Sequence, residues 1–115
     1  MTPKLPDVTP EQFFALDLRI GRVHSVEAFP EARVPAWKLT VDFGPEVGTL
    51  QTSARITNYS ADELTGRLVV GAVNLGPKRI AGFASQFRVL GAVRPDDSVR
   101  LLGVDHDAQP GDRVA

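Results

Sequence analysis

NLGPKRIAGFASQFRVLG, residues 74–91, is the stretch on which the reading of this chain turns. It sets turn formers, two adjacent cations and a hydroxyl–amide pair between two apolar runs. RLVVGAVN (67–74), just before it, is almost unbroken in apolar character, as expected of a strand buried on both faces. Pro77 offers no N–H and fixes its own φ, so Gly76-Pro77 should end that ladder. Lys78 and Arg79 are then expected to emerge together at a bend, two cations delivered to one spot by a rigid strand end.

Charge is segregated around the same stretch. Residues 1–63 carry a net charge of −3, residues 64–95 carry five cations (Arg67, Lys78, Arg79, Arg88, Arg94) and no acid, and residues 96–115 return to −3. A polyanion would be drawn to the middle and repelled by the ends. Surface arginines scattered by chance would give the same count; the placement of Lys78-Arg79 after a strand-ending turn favours binding.

Working outward, Thr9-Pro10 with Gln12 three residues beyond Thr9 has the form of a capping box, predicting a short helix over 10–15. Phe13, Phe14 and Leu16 are more apolar than one exposed turn needs, so this helix either seals the bottom of a barrel or meets another subunit. Residues 1–9, with prolines at 3 and 6, read as an extended arm and a candidate dimer contact. DLRIGRVHSVEAF (17–29) alternates like a strand whose phase slips at Gly21 and after Val23, as at a bulge. WKLTVDFG (37–44) alternates cleanly, and GTLQTSARI (48–56) gives a third strand with Leu50, Thr52 and Ala54 on one face. SADELTG (60–66) is a second capped helical turn stopped by Gly66. Strands at 67–74, 86–93 and 99–104 follow, and PGDRVA could add a short last one.

Three strands, a short helix and further strands, with a strongly bent first strand, match an all-β, five-stranded Greek-key OB-fold barrel with short helices at the N-terminus and between strands 3 and 4. A small sandwich or an SH3-like barrel is the structural alternative. At 115 residues the chain fits one domain, 1–115. No window approaches the roughly 18 apolar residues of a membrane span, and MTPKLPDVTP lacks a signal-peptide core, so a cytoplasmic protein without membrane insertion is expected. The absence of cysteine excludes disulfides and thiolate metal sites. His24 and His106 are isolated, and no phosphate-loop or dinucleotide fingerprint is present. No serine stands beside a plausible base, so no catalytic residue, metal or cofactor is assigned and the chain reads as a non-enzyme.

These residues resemble a known family. NLGPKRIAGFASQFRVLG, with RLVVGAVN and TSARI before it, is similar to the tRNA-binding OB domain that is appended to bacterial methionyl- and phenylalanyl-tRNA synthetases and also occurs free-standing. Within that family, FPEARVPAWKLTVDFG together with KRIAGF most resembles the CsaA branch of secretion chaperones. The resemblance spans residues 12–114. It implies a homodimer that binds tRNA and, for that branch, unfolded or export-bound polypeptides, with the export machinery as a further partner; the alternative is a structure-specific tRNA-binding accessory module without chaperone activity. Gln86 stands where family members usually have Glu after the serine, and Phe29-Pro30-Glu31-Ala32-Arg33 replaces the His-Pro-x-Ala-Asp loop of the synthetase domains. Ser85 is carried over; a carboxylate role at 86 is not.

The candidate RNA-binding residues are Asn74, Lys78, Arg79, Ser85, Gln86, Arg55, Arg88 and Ser53. Lys78 and Arg79 suit phosphates. Asn74 either reads a base edge or pins the turn. Ser85 and Gln86 either accept and donate at a splayed base or satisfy their own turn. Arg55 follows Ser53 on the third strand, where OB-folds expose a binding face. Arg19 and Arg33 have acids nearby, Asp17 and Glu31, and read as ordinary ion pairs. Trp37, Phe43, Phe29 and Phe83 fall on apolar phases and are expected in the core, leaving Tyr59 and Phe87 as candidate exposed rings. Phe13 and Phe14 are the candidate dimer contacts.

Overall fold

A computed structural model describes residues 2–115. Its elements, in chain order, are α1 (Pro10–Phe14), β1 (Leu18–Ala28), β2 (Trp37–Asp42), β3 (Thr49–Ala54), α2 (Ala61–Leu64), β4 (Leu68–Ala72), β5 (Lys78–Ile80), β6 (Phe83–Ser85), β7 (Arg88–Val89), β8 (Gly91–Val93) and β9 (Val99–Leu101). Five strands form one antiparallel sheet in the order β3-β2-β1-β4-β7, curled into a nearly closed, OB-like barrel.

The long first strand organises the barrel because it serves several partners in turn. Residues 18–22 pair with β4 and residues 22–28 with β2, and the register slips between Val23 and Ser25. One expected phase slip is therefore a bulge, which bends the strand as it passes from one neighbour to the next. The other is absent: Gly21 sits in regular register opposite Val69. Its lack of a side chain serves packing, since a Cβ there would lie 2.5 Å from Val41 Cγ1 and 2.7 Å from the Phe43 ring. The free edge of the strand's first residues takes the returning tail: Ile20 N–H donates to the Asp112 carbonyl at 2.9 Å and Val114 N–H to that of Leu18 at 2.9 Å. The expected last strand is thus a single bridge, Arg19 with Arg113.

Alternation places the core. Leu39, Val41 and Phe43 are buried from β2 and its end, with Val23, Val69, Ile56 and Leu64 around them, and Phe43 meets Phe87 edge-on at 4.9 Å. Phe87, expected as an exposed ring, is only 5% exposed. Its large apolar area outweighs its polar sequence neighbours once β7 is drawn against β4. The expected strand 86–93 is broken at Leu90, whose N–H still donates to Val70 O at 2.9 Å while Gly91–Val93 turns away to pair with β9.

Both helical caps form as expected. In α1, Thr9 accepts from Gln12 N and Gln12 returns the bond to Thr9 N; in α2, Ser60 and Glu63 do the same. The first helix does not seal the barrel by burial, because none of its residues is buried.

Candidate nucleic-acid interface

The region after β4 is a hairpin rather than a simple bend. Lys78 pairs with Ser85, Arg79 with Ala84 and Ile80 with Phe83. The turn is Ala81-Gly82, both at positive φ (48° and 80°), the mirror-image geometry that matches strand twist. This corrects the expectation that both cations reach one spot. Neighbours in a strand point to opposite faces, so Lys78 and Arg79 flank the hairpin instead of sharing a side. Both are exposed, and Arg79 donates from a guanidinium N–H to the Gly82 carbonyl at 2.9 Å, curling over its own turn.

The hairpin is fixed to the barrel by bonds that consume several of the candidate residues. Gln86 N–H donates to Gln51 O at 2.8 Å, while its side-chain Oε1 accepts from Gln51 N–H at 3.0 Å, so one glutamine completes the edge of β3. Gln51 Nε2 donates to Ala84 O at 2.9 Å. Ser85 is 8% exposed, lies 2.8 Å from the Thr52 hydroxyl and accepts from Ser53 N–H at 3.1 Å. Neither Ser85 nor Gln86 satisfies its own turn; both join β6 to β3, which narrows the barrel's gap. Asn74 takes the pinning role: its Oδ1 accepts from Asp17 N–H and its Nδ2 donates to Ala15 O, each at 2.8 Å, tying the α1–β1 junction to the end of β4.

A different, half-buried cluster lies under the hairpin. Lys38 and Ser53 are cross-strand partners, as are Thr40 and Gln51, and these four form the outer face of β2 and β3. Phe83 of the hairpin meets Phe29 edge-on at 5.4 Å, and Lys38 Nζ lies 5.2 Å from the Phe29 ring centre and 5.5 Å from that of Phe83. Lys38, Phe29 and Phe83 therefore form the foot on which the hairpin stands. Arg55, just past the end of β3, is exposed. Beside it, Phe29, Pro30, Arg33, Pro35 and Trp37 line an open cleft of about 400 Å³. Arg88 is exposed on β7 opposite Ala72 and lies outside this group.

Among the described residues the only ion pairs are Lys4–Asp7 and Arg19–Asp17. Lys38, Arg55, Lys78 and Arg79 thus keep their charge free of carboxylate partners, as does Arg33, which was expected to pair with Glu31. Arg19 behaves as expected: the Asp17 hydrogen bond raises its pKa above the ordinary arginine value. Tyr59 is half-buried, its hydroxyl accepting from Leu101 N–H at 3.0 Å and its ring covered by Arg67.

Lys38 and the Phe29–Phe83 contact were missed from the sequence. The polar phase of Lys38 in WKLTVDFG was legible, but its meeting with a ring 45 residues later depends on the hairpin folding back. No group of three or more His, Asp or Glu positioned to hold a metal occurs among the described residues, and no described helix is long and apolar enough to cross a membrane.

Residues 18–113 match the family described as "Putative tRNA binding domain". Two similar solved structures are the CsaA chaperone of Bacillus anthracis (44% identity, TM-score 0.89, 96% of this chain and 100% of that one) and that of Picrophilus torridus (41%, 0.89, 95% and 100%). Methionine–tRNA ligase 1 of Sorangium cellulosum is 37% identical over 97% of this chain; the chain spans 16% of that protein's length and 15–17% of the other ligases it resembles.

Proposed function

Because the chain belongs to the tRNA-binding-domain family, we propose that it binds tRNA on the face where the β5–β6 hairpin stands over β2 and β3, as a non-catalytic, CsaA-like protein of the cytoplasm. The observation that carries this reading is the set of cations around the hairpin, Lys38, Arg55, Lys78 and Arg79, none of them ion-paired among the described residues. Such groups can replace the counterions of RNA phosphates without first breaking a protein ion pair. Buried Phe87 and the covered ring of Tyr59 leave contacts to phosphate and RNA shape ahead of base stacking. Ser53 supplies a hydroxyl beside Lys38, and Arg88 extends the positive field from a neighbouring strand.

The test is a tRNA titration across a salt series with Lys78→Ala, Arg79→Ala and the double variant. Affinity should fall, and the log–log salt slope should flatten by about 0.7–0.9 for each phosphate that is no longer neutralised. Titrations superimposable on those of the unmodified protein would remove the reading.

A second reading, that the same domain acts as a homodimeric export chaperone, is favoured by the apolar N-terminal surface. Phe14 is 54% exposed and Leu5 74%, with Phe13, Leu16 and Val8 also exposed. A second copy covering Phe13 and Phe14 would bury part of that area, leaving the Phe29–Trp37 cleft for an extended polypeptide. Sedimentation as a monomer at micromolar concentration, together with failure to suppress aggregation of an unfolded client, would contradict it.

A further inference from the structure

We propose that the cleft between the start of β4 and the C-terminal tail, lined by Arg22, Arg67 and His106, binds a phosphate group; assigning that phosphate to an RNA backbone rests on the tRNA-binding reading above. The cleft is open, about 350 Å³, with Gly66 and Gly103 contributing backbone to its walls. A Cβ at either glycine would meet nothing within 4 Å, so the space beside both is open.

Its two guanidinium groups are held in place by partners that carry no charge. Arg22 donates to the Gly66 carbonyl at 2.9 Å. Arg67 lies 5.0 Å over the Tyr59 ring, itself fixed through its hydroxyl to Leu101 N. Neither arginine forms an ion pair among the described residues. Asp42, opposite Arg22 in the β1–β2 register, accepts from Gly44 N–H at 2.8 Å. Glu63 accepts from Ser60 N–H at 2.9 Å in its capping box, where those bonds, with a smaller share from Arg67, hold its pKa below the ordinary range. Asp105 and Asp107 flank His106 in the tail and form no ion pair among the described residues. Preoriented arginines with spare N–H donors in a concave, open site suit the tetrahedral oxygens of a phosphate.

The position relates the cleft to the hairpin face. Arg22 opposes Asp42 and Glu27 opposes Lys38, so the two points lie four residue steps apart on β2, about 13 Å along the strand. One RNA strand reaching from Lys38 along β1 would pass a phosphate over Arg22.

The test uses the full chain and inorganic phosphate as probe, at constant ionic strength, following the His106 ring and Arg67 side-chain NMR signals. Arg67→Gln and, in the exposed tail, His106→Gln are compared after confirming native backbone spectra. Phosphate should shift both signals, and Arg67→Gln should weaken its binding about tenfold, as expected for losing a charge-assisted hydrogen bond. Arg67→Gln should also flatten the tRNA salt slope by about 0.7–0.9. Shifts with phosphate but an unaltered tRNA slope would support the site with a free phosphate or phosphate ester as ligand. A flattened slope without free-phosphate shifts would support the RNA backbone as sole source. No shifts and no change of slope would overturn the proposal, and the hairpin variants would still report separately on tRNA binding.

Discussion

Replacing Thr52 by valine should damage the barrel more than replacing Ser85 by alanine, because of the direction in which their hydrogen bonds run. Ser85 Oγ accepts from Ser53 N–H at 3.1 Å, so its own hydrogen is free to go to Thr52 Oγ1, 2.8 Å away. Thr52 in turn donates to the Phe87 carbonyl at 2.7 Å, an oxygen that can only accept. Valine at 52 keeps the shape but leaves a serine hydroxyl without its acceptor and the carbonyl without this donor, in a place where Thr52 is 2% and Ser85 8% exposed. Each orphaned group costs about 1–2 kcal/mol, the lower part of the usual range for a buried unsatisfied group, for a total of about 2–4 kcal/mol. Alanine at 85 deprives only Ser53 N–H while Thr52 keeps its carbonyl, a cost of about 1–2 kcal/mol. An unfolding entropy of roughly 2.1 cal/mol/K per residue makes 1 kcal/mol worth about 4 °C here, so the Tm should fall by about 8–16 °C for Thr52→Val and 4–8 °C for Ser85→Ala. Thermal unfolding followed by circular dichroism measures both. A loss in Ser85→Ala equal to or above that in Thr52→Val would refute the assigned direction, and a Ser85→Ala variant of full stability but poor tRNA affinity would put the serine in front of RNA.

Gly21→Ala should cost about 1–3 kcal/mol by overpacking, since its new Cβ meets Val41 and Phe43 inside the core, and a lowered urea midpoint would show it. Asn74→Ala should cost about 1–2 kcal/mol by removing both bonds to the α1–β1 junction, with faster amide exchange at Asp17 and unchanged tRNA affinity; reduced affinity at full stability would restore Asn74 as a base reader. Glu63 has a lowered folded-state pKa, chiefly through the Ser60 backbone hydrogen bond, so its stabilisation is present above the ordinary glutamate pKa and lost as pH falls through the lowered value. Glu63→Gln, which can keep the capping box, should therefore reduce the decline of stability across that acid range, and an unchanged acid profile would contradict this.

The barrel was legible because its signals are local. The phase slip after Val23, the alternation of WKLTVDFG, both capping boxes and the apolar run into Ala72 each follow from neighbouring residues, and each appears where expected. The site was less legible because its decisive contacts are distant in sequence. Ser85 and Gln86 look like free hydrogen-bonding groups until β3 is placed beside them, 32–35 residues away. Lys78-Arg79 reads as a doublet of charge, yet the pairing of Arg79 with Ala84 makes that segment a strand, and the pleat then separates the two side chains. Ala81-Gly82 was the available sign of a hairpin, concealed because alanine seldom adopts positive φ. Phe87 was misread for a similar reason: polar neighbours in the chain say little about a ring that packs on Phe43.

The most direct measurement is a titration of isotope-labelled protein with tRNA, reading amide and side-chain shifts residue by residue. Perturbations should concentrate at Lys38, Ser53–Arg55 and residues 76–84, and diminish as salt is raised. Binding whose shifts fall on residues 2–16 while the hairpin stays silent would contradict the account.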